Sequence, residues 1–121
     1  KSVSGIFTDD TDLVTGLWND NRIGTFRGIR KGKSDYGATA FGEKAVVQTG
    51  KYNGYNPLLV EVVKFFQTGI PPVAPEETIE IFAFMTAASE SRKLNGAEVL
   101  IQSVIKEAEQ EAAEKMKNYS Y

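Results

Sequence analysis

The chain contains no cysteine and no histidine. Without cysteine there is no disulfide, no thiol nucleophile and no thiolate metal site. Without imidazole there are no serine-histidine or cysteine-histidine nucleophilic pairs and none of the usual zinc sites. Proton transfer is left to Asp, Glu, Lys and Tyr, which need large pKa shifts to work near neutral pH, so unaided catalysis by these residues is not expected. Long apolar runs are missing too. Leu58 to Val60 and Ile81 to Met85 are among the longest, far short of the ~20 residues a bilayer requires, and no secretion signal is present. The first residue is Lys1 rather than methionine, which fits excision from a longer chain.

What is present describes an ordinary folding sequence. With 121 residues, 41% hydrophobic and 25% charged, the chain has the size and composition of one domain with a packed core. The formal charge of −2 gives no overall field for nucleic acid or an anionic membrane, so any basic site must be local. All five Asp lie at or before Asp35, all eleven Glu at or after Glu43, and ten of the eleven Gly before Ile70. Asp and Gly suit turns whereas Glu suits helix interiors. The partition predicts an α+β fold with a largely antiparallel sheet in the first half and three helices packed on it from the second.

Asp12 to Trp18 and Arg22 to Arg30 read as a hairpin closed by Asn19-Asp20-Asn21, whose side chains tolerate left-handed backbone. Tyr36 to Phe41 and Ala45 to Thr49 read as a second return around Gly42-Glu43-Lys44. That gives four strands, and five if Ile6-Phe7-Thr8 also pairs. In the second strand Ile23, Thr25, Arg27 and Ile29 share one face, and Gly24, Phe26, Gly28 and Arg30 the other, with the glycines leaving gaps for a neighbouring ring or backbone. Asn56 is the expected cap of a first helix, with Pro57 at its first position and Gly69 ending it. Leu58 to Phe66 is interrupted only by Glu61 and Lys64, so burial on most sides is expected. After the stiff Pro71-Pro72 connector, Pro75-Glu76-Glu77 opens a second helix with carboxylates at the positive end of its dipole, running to about Leu94. Its expected apolar face is Ile79, Phe82, Ala83 and Thr86, widened by Ile81, Phe84, Met85 and Ala88. Ile101, Val104, Ile105, Ala108 and Ala112 mark a third helix whose charged end projects into solvent. Phe65, Phe66, Phe82 and Phe84 are expected in the core.

Arg22 to Lys33 holds Arg22, Arg27, Arg30, Lys31 and Lys33 with no acid. It is either a solvated strand and loop or a grip for an anionic ligand. Nucleic acid is disfavoured by the acidic balance of the chain, and the sheet motif of RNA-binding domains is not matched. Asp9, Asp10 and Asp12 lack the alternating ligands, turn glycine and distal Glu of a calcium loop, and read as a polar turn. Gly24, Gly28 and Gly32 recur every fourth residue, which is not the dinucleotide fingerprint.

Asp35-Tyr36-Gly37, Phe41-Gly42-Glu43-Lys44 and the run from Asn56 to Gly69 resemble the closing part of the glucose-fructose oxidoreductase, inositol dehydrogenase and MocA family. Pro71-Pro72-Val73, Pro75-Glu76-Glu77-Thr78, Ala87-Ala88, Glu90-Ser91 and Asn95-Gly96 continue the likeness in order and spacing, over roughly Leu13 to Val104. The resemblance implies the later part of a C-terminal substrate-binding and oligomerisation domain from an oxidoreductase that uses NAD or NADP on a sugar, cyclitol or related polyol. The family's N-terminal Rossmann domain, its nucleotide fingerprint, the Glu-Lys-Pro segment with the catalytic lysine, and the aspartate and histidine of the proton-transfer site would all lie upstream. No catalytic, cofactor-binding or metal residue is therefore assigned here. Arg27, Arg30 and Tyr36 are the substrate-contact candidates, and self-association into a dimer or larger is expected. The competing reading is a stand-alone binding module whose basic segment, residues 22–33, meets an anionic partner.

Overall fold

The structure, a computed structural model, describes residues 1–50, 52 and 54–119. It has the α+β architecture expected from the sequence, in two compact units, residues 1–32 with 75–121 and residues 33–74.

In the first unit, strands β1 (Ser2–Phe7), β2 (Thr11–Leu17) and β3 (Ile23–Ile29) form an antiparallel meander. Asn21 adopts φ 64° in the β2–β3 turn, where Asp20 Oδ1 accepts from the Arg22 amide, so the Asn-Asp-Asn reading holds. The β1–β2 turn is closed by the Thr8 hydroxyl, which donates to the Thr11 carbonyl and accepts from the Thr11 amide. The fourth member of the sheet was not legible in the sequence. It is the two-residue strand Val99–Leu100, here β6, which pairs with Ser2 and Val3 to give the order β3-β2-β1-β6.

Helix α2 (Pro75–Lys93) and helix α3 (Ile101–Lys117) belong to the same unit. The buried side of α2 is Ala83, Ala87 and Ser91, with Ala88 and Phe84 beside them, packed with Val3 and Val14 of the sheet and Ile101 and Val104 of α3. This corrects the expected apolar face, because Ile79, Ile81, Phe82 and Met85 stay exposed. Positions four apart lie on one face of a helix. Here the small residues at 83, 87 and 91 let the helix backbone lie close to the sheet, whereas larger side chains would hold it away. The helix ends as the Asn95-Gly96 pair requires: both take positive φ, and the Gly96 amide reaches back to the Ser91 carbonyl at 2.7 Å. Gly96 also lies so close to the Gly5 carbonyl that it leaves no room for a Cβ. Ala108 and Ala112 of α3 are exposed, and the charged end of that helix is solvated, as expected.

The second unit holds β4 (Thr39–Phe41) and β5 (Val46–Gln48), paired as a two-stranded ribbon rather than as further members of the main sheet, and helix α1 (Asn56–Thr68). The cap position falls on Tyr55 rather than Asn56, and no side chain caps the helix. Gly69 closes its end with φ 70° and an amide bonded to the Phe65 carbonyl, as expected. The expected burial of α1 is not found, since none of its residues is buried and Phe66 is 81% exposed. Composition reports how much apolar surface a helix has to hide, not whether a cover is at hand.

Candidate functional site

The pleat of the first unit sends Val3, Gly5 and Phe7, Asp12, Val14 and Gly16, and Gly24, Phe26 and Gly28 toward one face, matched by the register of the pairs. The opposite face carries Ile6, Leu13, Leu17, Ile23 and Ile29, all exposed, with Thr15, Thr25 and Arg27 among them. A contiguous apolar sheet face of this kind is uncommon on a monomeric protein. Arg27 stands in this face, opposite Leu13, with no ion pair among the described residues.

Arg30, the second candidate, is held by the protein itself. Its guanidinium donates to the Thr8 carbonyl at 3.0 Å and forms an ion pair with Asp12 Oδ2. Asp12 also receives Arg92 Nη1 at 3.3 Å, and the Arg92 guanidinium lies 5.3 Å from the centre of the Phe7 ring. One carboxylate thus ties the β1–β2 turn, the end of β3 and the last turn of α2. Arg30 is a structural clamp in this arrangement. Arg22 is likewise engaged by Asp20 at 2.8 Å, which holds the Asp20 carboxyl below its ordinary value, and Lys31 lies 4.0 Å from Asp10. Three of the five cations in the basic segment therefore already face an acid, which weakens the anion-grip reading. The Asp9–Asp12 region is this turn and clamp, and no group of three or more acids able to hold a metal occurs among the described residues.

Tyr36, the third candidate, belongs to the second unit and is 86% exposed, 6.3 Å from Tyr52, which meets Tyr55 edge-on at 6.0 Å. Desolvation among these rings, with a hydrogen bond to Tyr55 and the nearby Tyr36 hydroxyl, pushes the Tyr52 phenol up.

Trp18, the chain's one tryptophan, stands at the end of β2 and carries no sequence motif that marks it. Its ring stacks on Phe84 of α2 with centroids 6.1 Å apart and planes 19° apart. Gly16 and Gly24 make that possible, because a Cβ on Gly16 would fall 2.7 Å from Phe84 and one on Gly24 3.0 Å from Trp18. The gaps expected beside Phe26 are thus filled on the Gly24 side by Trp18, and on the Gly28 side by Phe26's own ring. Together with Ile81 and Met85, the stacked pair walls a cavity of about 280 Å³. At its rim Glu80 accepts from Trp18 Nε1 at 3.3 Å and from Lys1 Nζ at 2.6 Å, and the Lys1 hydrogen bond draws its carboxyl below the ordinary 4.5. The usable signal was the combination of a lone tryptophan with glycines two before it and on the paired strand.

Among the described residues, no helix is long and apolar enough to cross a membrane. Comparison with family models, with curated proteins and with solved structures yields no match.

Proposed function

We propose that this chain is the later part of the C-terminal substrate-binding and assembly domain of an oxidoreductase that uses NAD or NADP on a sugar, cyclitol or related polyol. The ordered motifs from Asp35 to Gly96 carry this reading. The exposed apolar sheet face of β1, β2 and β3 supports its assembly half, since leaving that surface in water costs free energy that a second layer or a second copy would recover by covering it. The absence of His and Cys supports the view that electron and proton transfer reside in a partner domain. Arg27, on the apolar face, and Tyr36, in the second unit, remain the proposed contacts for substrate hydroxyl or carboxylate groups. Arg30, the remaining candidate, is engaged by the Thr8 carbonyl and Asp12 instead.

The test is the longer parent chain assayed for nicotinamide reduction against a panel of sugars and cyclitols. Turnover by the parent with none from these 121 residues supports the proposal. Turnover by this chain unaided, or a parent that binds no nicotinamide nucleotide, overturns it. Assembly is tested separately: sedimentation should show a dimer or larger, and Ile23→Lys with Leu13→Glu should shift it to monomer.

A further inference from the structure

We propose that the groove between α2 and α3 is a docking site for an amphipathic helix of a partner protein, one whose apolar stripe is flanked by Lys or Arg. The floor is apolar and largely uncovered. It is made by Ile79 and Phe82 of α2, 55% and 63% exposed, with Ile105, Ala108 and Ala112 of α3. Its volume of about 740 Å³ gives room for the anchors at i, i+3, i+4 and i+7 with which a helix occupies a groove. The walls select helix over strand. Both are α-helices, whose backbone groups are bonded within each helix, and the hydroxyls along the groove are those of Thr78 and Thr86. An extended peptide laid on this floor would leave N–H and C=O groups unpaired against apolar side chains, whereas a helix brings its own already satisfied.

Charge sets the flanks. Among the described residues that line the groove, Glu90, Glu107, Glu109 and Glu111 stand against one cation, Lys93, which is bound to Glu90 at 2.6 Å. Lys115, one turn beyond, is bound to Glu111 at 2.7 Å. Glu107 and Glu109 have no ion pair among the described residues. The neighbouring cations do not reverse the balance. From Pro75 to Lys117, with Lys106 and Lys117 counted, nine carboxylates stand against five cations, so the field over both helices is negative. A second copy would set the same carboxylates against one another, which disfavours self-pairing across this groove. A helix with cationic flanks meets Glu107 and Glu109 with opposite charge while its stripe covers Phe82 and Ile79.

Fluorescein-labelled peptides of leucine and lysine test this on the chain as it stands, by anisotropy at low salt. One carries leucine at the i, i+3, i+4 and i+7 spacing, a second has the same composition in scrambled order, and a third has glutamate in place of lysine. The amphipathic lysine peptide should bind saturably at one per chain, gain helix by circular dichroism and weaken as salt rises. It should bind at least about tenfold tighter than either control. Phe82→Lys, at an exposed floor position, should abolish this binding, and Ile79→Lys serves if that variant misfolds. Glu107→Gln with Glu109→Gln should weaken it about fivefold, the size of two exposed charge pairs. Equal binding of the scrambled peptide, preference for the glutamate peptide, or undiminished binding by a folded lysine variant overturns the proposal. So does a dimer of this chain that Phe82→Lys disperses, since the groove would then hold a second copy.

Discussion

Helices α1 and α2 invert what their sequences advertise. Nine consecutive residues of α1 contain only two charges, yet nothing in it is buried. Helix α2 carries a mixed sequence with no pronounced apolar side, yet Ala83, Ala87 and Ser91 are sealed against the sheet. The difference teaches that burial is decided by fit as well as greasiness. A stripe of small residues finds a close partner, while a broad apolar helix needs an equally broad one, and in this chain that requirement stays open.

The sharpest way to break the comparison is to place the same charge on both helices. Ala87→Glu puts an unpaired carboxylate where no solvent reaches, and should cost more than ~4 kcal/mol, enough to unfold the first unit in a denaturant titration. Val63→Glu on α1, a half-exposed site, should change the midpoint by less than ~0.5 kcal/mol. If the two variants lose equal stability, α1 is covered after all and the contrast fails. Gly96→Ala comes next. It forces a side chain into positive φ and against the Gly5 carbonyl, and a loss of about 2 kcal/mol is expected from the combined strain. The matching change in α1, Gly69→Ala, meets the strained φ but open space, so about 1 kcal/mol is expected, read as faster amide exchange at the helix end.

The smallest effect is electrostatic. Lys1 and Trp18 favour the ionised form of Glu80, so its folded pKa lies below the ordinary 4.5 and the unfolded chain binds the proton more tightly. The stabilisation is complete above that ordinary value and disappears as pH falls through the lowered one. Glu80→Gln should flatten this acid limb of the stability profile slightly, because the carboxylate is 40% exposed and solvent screens the pair. An unchanged acid limb would show that the contact contributes nothing.

The hairpin, the helix starts at the two prolines and the glycine stops were legible because local chemistry dictates them: Asn21, Pro57, Gly69, Pro75 and Gly96 each impose a backbone geometry whatever surrounds them. The sheet-facing side of α2 was not, since choosing Ala83 over Phe82 depends on how closely β1 and β2 approach. Strand β6 was hidden because two residues make no pattern. Among the site candidates, Arg30 looked available in sequence because its acid, Asp12, lies 18 positions away and meets it only through strand pairing. Trp18 went unnoticed for the same reason, its partners being Phe84 and Glu80.

The pairing of Val99 and Leu100 with Ser2 and Val3 also constrains how the molecule is made. On a ribosome, β1 emerges before the other strands of its sheet, and its outer neighbour is translated almost a hundred residues later, so that edge stays unzipped while the intervening residues are made. The β2–β3 hairpin can close within microseconds of its appearance, whereas sealing the other side of β1 waits for a long loop to shut. A nascent chain tethered short of residue 99 should therefore show hairpin structure with β1 still open to protease, and the sheet should lock only when the Val99–Leu100 latch clears the exit tunnel.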